Sequence, residues 1–194
     1  MDGAFEVRFH GRGGQGIVTA AELLSVAAFL EGREAQAFPS FGSERMGAPV
    51  TSFCRIADRP IRTHEPVAEP DAVVIADSTL LHQIDVFGGL RADGWVLIDS
   101  VRPATELGLG ELAGRLPTGH LRTVAASELA RTHLGRPLPN VCLLGALAAL
   151  TGIVGRDPLH AAVTERFAPV LAQGNLAALD AAFTELTPTE AGRA

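Results

Sequence analysis

The stretch GRGGQGIVTAAELLSVAAFLEG, residues 11–32, decides the fold. Its first six residues, Gly11-Arg12-Gly13-Gly14-Gln15-Gly16, satisfy the spacing G-x-G-x-x-G, and the residues on either side give that spacing its meaning. Before it, AFEVRFH at 4–10 alternates apolar and polar side chains, the period of a strand. After it, Ile17, Ala20, Ala21, Leu24 and Ala28 recur at helical spacing, with alanines small enough to let the helix lie close to a sheet, and Gly32 closes the helix. Strand, glycine turn and helix in this order open an α/β unit. Glycines there let the backbone turn tightly and bring its N–H groups near an anion, which the helix dipole favours. Arg12 adds a guanidinium fork suited to phosphate.

Further along, residues 35–38 predict a short strand, followed by the eleven-residue connection PSFGSERMGAP at 39–49. Connections of that length in a compact domain are enriched in binding roles. Residues 50–56 alternate as a strand, and the turn at 57–60 leads to a short return strand at Ile61 and Arg62, which predicts a hairpin and so a mixed sheet. The continuous apolar runs at 72–76 and 95–98 are those of strands covered on both faces. Ser127 reads as the cap of a segment through His133, Asn140 as the cap of a helix over 141–150, Asp157-Pro158 as a cap and first helical position, and Asn175 as the start of a last helix over 176–186. The expected fold is a three-layer α/β/α domain with a mixed, mostly parallel sheet and a helical C-terminal third. It forms one domain over 1–194, with the sheet core in 1–125 and mainly helix in 126–194.

Composition then removes whole chemistries. With 194 residues, 47% of them hydrophobic, the chain can bury a core. All 16 basic residues are arginine, so neither a Walker lysine nor a Schiff base is available. Cys54 and Cys142 are too few for a four-thiolate cluster or a structural zinc site, so any iron–sulfur centre belongs to a partner. The histidines at 64, 82, 120, 133 and 160 show no metal-ligand spacing, and no metal is expected. The first eleven residues lack a basic and an apolar leader region, and two cysteines build no disulfide framework, so a reducing cytoplasm is expected. The longest apolar run, 141–150, falls well short of the ~20 residues that cross a bilayer, and a net charge of −6 without a basic block argues against nucleic acid.

Residues 11–32, 36–61 (QAFPSFGSERMGAPVTSFCRIADRPI) and 140–152 (NVCLLGALAALTG), with 69–81 fitting between them, together resemble the gamma subunit of the 2-oxoacid:acceptor oxidoreductases of the pyruvate and 2-ketoisovalerate ferredoxin oxidoreductase type. The resemblance covers residues 4 to about 155 in order. It implies a subunit, inactive alone, of an enzyme that oxidatively decarboxylates a 2-oxoacid and acylates coenzyme A. Thiamine diphosphate, coenzyme A and [4Fe-4S] clusters then serve the complex, none held by this chain alone, and electrons pass to ferredoxin or NAD. The implied partners are alpha, beta and ferredoxin-like delta subunits, with ferredoxin or an NAD(P)-reducing subunit as acceptor. The resemblance carries Gly11, Gly13, Gly14, Gln15, Gly16 and Thr19 into a candidate cofactor-binding set, which the Arg12 guanidinium joins on its own chemistry, and makes Ser43, Glu44, Arg45 and Gly47, with Met46 among them, a loop at a cofactor or subunit interface. It names no catalytic residue here.

Met46 departs from the pattern, which carries a second arginine there; a thioether removes a charge and up to five donors. That exchange suits an apolar 2-oxoacid or a repacked interface. No acid stands at the end of the second strand to hold a ribose, which argues against NAD on this chain. The glycines are equally compatible with a tight turn buried against a partner. An indolepyruvate or arylglyoxylate oxidoreductase subunit and a non-catalytic scaffold stay open as alternatives. Arg55, Arg59 and Arg62 read either as contacts to coenzyme A phosphates or as a solvated edge, Asp77 and Asp99 as caps of the segments that follow them, and His10 as a satisfied strand-end histidine.

Overall fold

Alternation in the first strand sorts its side chains as expected. In β1 (Phe5–Arg12), Phe5, Val7 and Phe9 are buried against the main core, while Glu6, Arg8 and His10 point to the other face. The computed structural model describes residues 3–40, 46–63 and 65–187. After β1 come α1 (Ile17–Leu30), β2 (Glu34–Pro39), β3 (Pro49–Ala57), β4 (Ala72–Ile75), β5 (Trp95–Asp99), α2 (Gly110–Arg115), β6 (Leu121–Val124), α3 (Ala126–Leu134), α4 (Asn140–Thr151), α5 (Arg156–Arg166) and α6 (Pro169–Leu186).

Six strands form one sheet in the order β2-β3-β1-β4-β5-β6. β3 is antiparallel to both of its neighbours, and the other three pairings are parallel, so five strands run one way and β3 opposes them. The sheet is mixed and mostly parallel, but not through the expected hairpin. Ile61 and Arg62 lie outside any strand, because β3 is flanked by β1 and β2 and has no free edge for a return strand.

The two covering layers are unequal. On one face α1, α4, α5 and α6 surround a core containing Phe9, Leu24, Ile56, Leu97, Leu144 and Leu179. α4 is buried at every residue from Asn140 through Ala148, the pattern of a helix enclosed on all sides. The other face carries Val73, Ile75, Val96 and Ile98 beneath a thin layer made by a short 3-10 turn (Ser78–His82), α2 and their connections, which contribute Leu80, Val86 and Leu112. Beside that layer Arg8 is buried and donates to the carbonyls of Val67, Val86 and Gly88.

Several helix starts differ from expectation, each for a contact made at long range. α6 begins at Pro169 rather than near Asn175; the triplet Gln173-Gly174-Asn175 resembles a boundary, but a Cβ on Gly174 would sit 2.8 Å from the His133 carbonyl, so glycine is there to let α3 pass. Asn175 is buried within α6 and donates to the Leu171 carbonyl. Asn140 is not a cap: its amide reaches the Gly16 carbonyl instead. Ser127 lies inside α3, where Asp99 from β5 accepts its N–H at 3.0 Å and its hydroxyl hydrogen, so Asp99 caps this helix rather than the segment after β5. α5 starts at Arg156, before Asp157-Pro158, and the Gly155 N–H ahead of it is met by Glu31 Oε1 at 2.7 Å.

Candidate functional site

From β1 the chain first builds the β2-β3 side of the sheet and then, from β4 on, the other side, so the strand order reverses between β1 and β4. In α/β sheets ligands bind outside the carboxyl ends of strands at such a switch point. Here the carboxyl end of β1 is the glycine loop, and that of β4 is Ala76-Asp77, tied to it by the Ala76 N–H to the His10 carbonyl at 2.8 Å.

Each part of the loop has a defined task. Gly14 and Gly16 hold left-handed conformations, with φ of +97° and +72°, that side chains disfavour. A Cβ on Gly16 would come within 2.4 Å of Asn140 Nδ2, and one on Gly11 within 2.4 Å of Ile17 Cγ1, so these two glycines let α4 and α1 close on the strand end. Gly13 donates to the Ala48 carbonyl at 2.9 Å and accepts from the Gly47 N–H at 3.2 Å, which pins the second motif to the first. Met46 lies against Gly14 with 91% of its surface exposed. Ser43, Glu44 and Arg45 lie outside the described residues.

Arg12 bridges the switch point. Its Nε donates to Asp77 Oδ2 at 3.0 Å, one terminal nitrogen to the Gly47 carbonyl, and the other to Thr79 Oγ1 and Gln83 Oε1. Four of its five N–H groups are thereby committed to protein acceptors. Gln15 completes the clamp, accepting the Arg12 N–H through Oε1 at 2.7 Å and donating to Asp77 from Nε2. Burial works to raise the Asp77 pKa, but the Thr79 hydroxyl and N–H, with Arg12 and Gln15, outweigh it and hold the carboxyl below its ordinary value. Asp77 also caps the 3-10 turn through the Thr79 N–H, as expected for it.

On the helical side of the loop a cleft of about 320 Å³ is bordered by Gly13, Gly14, Thr19, Asn140, Arg166 and Phe167, among others. α1 enters it with no side-chain cap and no acid in its first turn, and so does α4 beside it. Two uncapped helix N-termini present N–H groups and positive dipole ends to the same space. Asn140, 2% exposed, keeps its Nδ2 on the Gly16 carbonyl and leaves Oδ1 buried without a hydrogen-bond partner. Asn140, Arg166 and Phe167 were not singled out by sequence reasoning as site residues. Asn140 looked like a cap, and Arg166 and Phe167 lie more than a hundred residues from the glycine loop, with no local signal pointing back to it.

Other polar groups sit apart. His10 is buried, and burial first, then the neighbouring Arg8 guanidinium, lowers its pKa to about 4. Since Arg8 Nε donates to His10 Nε2 at 3.1 Å, the ring proton belongs on Nδ1, facing Thr51 Oγ1 at 3.4 Å. Burial pushes the Cys142 thiol up to about 12 and raises that of Cys54 as well. Neither buried thiol suits a cluster, whose ligands are thiolates. Arg55, Arg59 and Arg62 lie at the other end of β3, so the structure does not bring them to the glycine loop.

A glycine turn at the switch point of a mixed sheet, flanked by two uncapped helices, defines a three-layer α/β protein with backbone N–H groups gathered at the carboxyl ends of its strands. Comparison with known families narrows this. The family described as pyruvate ferredoxin/flavodoxin oxidoreductase matches residues 6–185, and the chain belongs to it. The "Pyruvate/ketoisovalerate oxidoreductases common subunit gamma" of Thermococcus kodakarensis is 45% identical over 180 residues, covering 93% of this chain and 96% of that protein. The crystal structure of pyruvate oxidoreductase subunit PORC from Thermotoga maritima superimposes with a TM-score of 0.78 at 34% identity, covering 94% of this chain and 97% of that one. A 2-oxoglutarate:ferredoxin oxidoreductase from Magnetococcus marinus, solved with 2-oxoglutarate, coenzyme A and succinyl-CoA bound, shares the fold at a TM-score of 0.77 and 18% identity, and this chain spans 31% of it.

Proposed function

We propose that the chain is the gamma subunit of a multi-subunit, thiamine diphosphate-dependent 2-oxoacid:acceptor oxidoreductase, and that its glycine loop and second motif complete the binding site for the phosphates of coenzyme A at a subunit boundary. Family membership and near full-length similarity to gamma subunits support the first part. The observation that carries the second is the cleft at the switch point, where two uncapped helix N-termini and an unpartnered Asn140 Oδ1 meet the glycine loop. Backbone N–H groups and dipole ends suit phosphate oxygens, and the amide oxygen suits a hydroxyl or N–H donor on the same ligand.

In this reading Arg12 is a positioning residue. It holds the Gly47 segment and the Thr79 turn to the loop, so that the backbone donors keep one geometry. Thiamine diphosphate supplies the carbanion chemistry and clusters on other subunits carry electrons to ferredoxin or NAD; this chain contributes binding, orientation and assembly contacts. Alpha, beta and ferredoxin-like delta chains are the proposed partners, in the cytoplasm. Among the described residues no helix is long and apolar enough to cross a membrane.

The test is reconstitution of the complex with Gly13→Val and, separately, Arg12→Ala subunits. The proposal expects intact assembly with a raised KM for coenzyme A. Unchanged kinetic constants for coenzyme A in an assembled complex favour a scaffold role instead, and activity undiminished without the chain removes the subunit reading. A panel of pyruvate, branched-chain and aryl 2-oxoacids separates the pyruvate type from the indolepyruvate or arylglyoxylate type.

A further inference from the structure

The wall of the cleft beside the glycine loop is of two kinds. Part of it is the loop's own backbone at Gly13, Gly14 and Gly16; another part comes from the last turn of α5, which contributes Arg166, and from Phe167 just after it. Among the described residues bordering this space the charged ones are Arg12 and Arg166, and neither an aspartate nor a glutamate joins them, in a chain whose net charge is −6. Arg12 is already answered by Asp77, Gly47, Thr79 and Gln83.

Arg166 is not. Its guanidinium carbon lies 5.7 Å from the centre of the Phe167 ring, and among the described residues the guanidinium forms neither an ion pair nor a hydrogen bond, not even to the carbonyls that end α5. A guanidinium over an aromatic face is held there by the ring's charge distribution and keeps its N–H groups in its own plane, free to donate. Thr19, in the first turn of α1, borders the same cleft with a hydroxyl that has no hydrogen-bond partner among the described residues.

The size and charge of the cleft select one part of the ligand. Its volume of about 320 Å³ is at the lower end of the range for clefts that bury a small ligand, so it holds a portion of coenzyme A rather than the whole. The thiol is the reacting end and belongs with the chemistry on the partner subunits; the phosphorylated nucleotide is the end left for a cleft with a free arginine and no acid. Within that nucleotide a phosphate monoester carries roughly −1.5 to −2 at neutral pH, more than either phosphate of the diphosphate bridge. A full cation suits the monoester, and the backbone N–H groups of the glycine loop suit the bridge.

We propose that Arg166, held in place by Phe167, takes the 3′-phosphate of coenzyme A, so that this subunit distinguishes coenzyme A from its dephospho form. The inference rests on the coenzyme A reading of the cleft and adds the group that sets its specificity.

The test is calorimetric titration of the assembled complex, with no 2-oxoacid present, against coenzyme A and against 3′-dephospho-coenzyme A. The parent complex is expected to bind coenzyme A about 10-fold or more tightly than the dephospho form, the preference that charge-assisted hydrogen bonds to one phosphate provide. Arg166→Gln is expected to weaken coenzyme A about 10-fold and to leave dephospho-coenzyme A within about twofold, which erases the preference. Gly13→Val is expected to weaken both ligands and to keep it. Equal affinity of the parent complex for the two ligands, or an unchanged preference in Arg166→Gln, overturns the proposal; if Gly13→Val still weakens both ligands, the coenzyme A reading survives that failure. If neither variant alters the binding of either ligand, the two fall together.

Discussion

His10 shows how one buried side chain couples the stability of the fold to pH. It titrates near 6.5 when unfolded and near 4 in the fold, so between those values the unfolded chain takes up a proton that the fold refuses. Its contribution is fully present above pH ~6.5 and is lost as pH falls toward 4, by about 3 kcal/mol. Asp99 acts in the opposite sense: burial raises its pKa despite the Ser127 donors, so its carboxyl becomes less unfavourable as pH falls through that raised value. Urea denaturation from pH 4 to 7 is expected to show His10→Gln losing most of the acid-side decline seen in the parent chain; parallel curves would show that another group governs it. Gly16→Ala tests the loop itself. Its φ of +72° and the 2.4 Å approach of Asn140 Nδ2 predict a loss of roughly 2 kcal/mol or more in the same assay. At this scale the glycine loop was legible because strand, glycines and helix are contiguous in sequence. Asn140 was not: its asparagine-before-apolar-run pattern matches a cap, while its partner, the Gly16 carbonyl, is 124 residues away.

Among elements, β1, α1, β3, β4 and β5 follow from local periodicity, since each buries a face or both faces that its own side chains announce. Elements set by tertiary contact were hidden. The absent return strand at Ile61 depends on both edges of β3 being occupied, and the early start of α6 depends on a glycine whose purpose is a neighbour's carbonyl. α4 and α6 make the same point more strongly. A Cβ on Gly145 would lie 2.4 Å from the Leu179 carbonyl, a backbone atom that cannot rotate away. Gly145→Ala is therefore expected to wedge these helices apart and cost about 1–3 kcal/mol, even though alanine is the better helix former. Asp99→Ala, which strips the cap of α3, is expected to cost about 1 kcal/mol. Thermal or urea unfolding measures both, and a stabilised Gly145→Ala would mean that the helix contact is looser than described.

For the molecule as a whole, poverty of reactive groups and richness of backbone donors belong to one account. A chain with no lysine and two buried cysteines offers little chemistry of its own, yet its sheet places a glycine loop and two uncapped helix ends at the switch point. That arrangement suits a subunit whose reactive partners are cofactors held elsewhere. The central claim is that the loop, locked by Arg12, completes the coenzyme A site of the assembled enzyme. Steady-state kinetics of the complex reconstituted with Arg12→Ala test it most directly. The account predicts a normally assembled complex whose KM for coenzyme A rises about 10-fold, the order expected when charge-assisted hydrogen bonds that fix a binding loop are lost, while the KM for the 2-oxoacid stays within about twofold. An assembled complex with both KM values unchanged would contradict it.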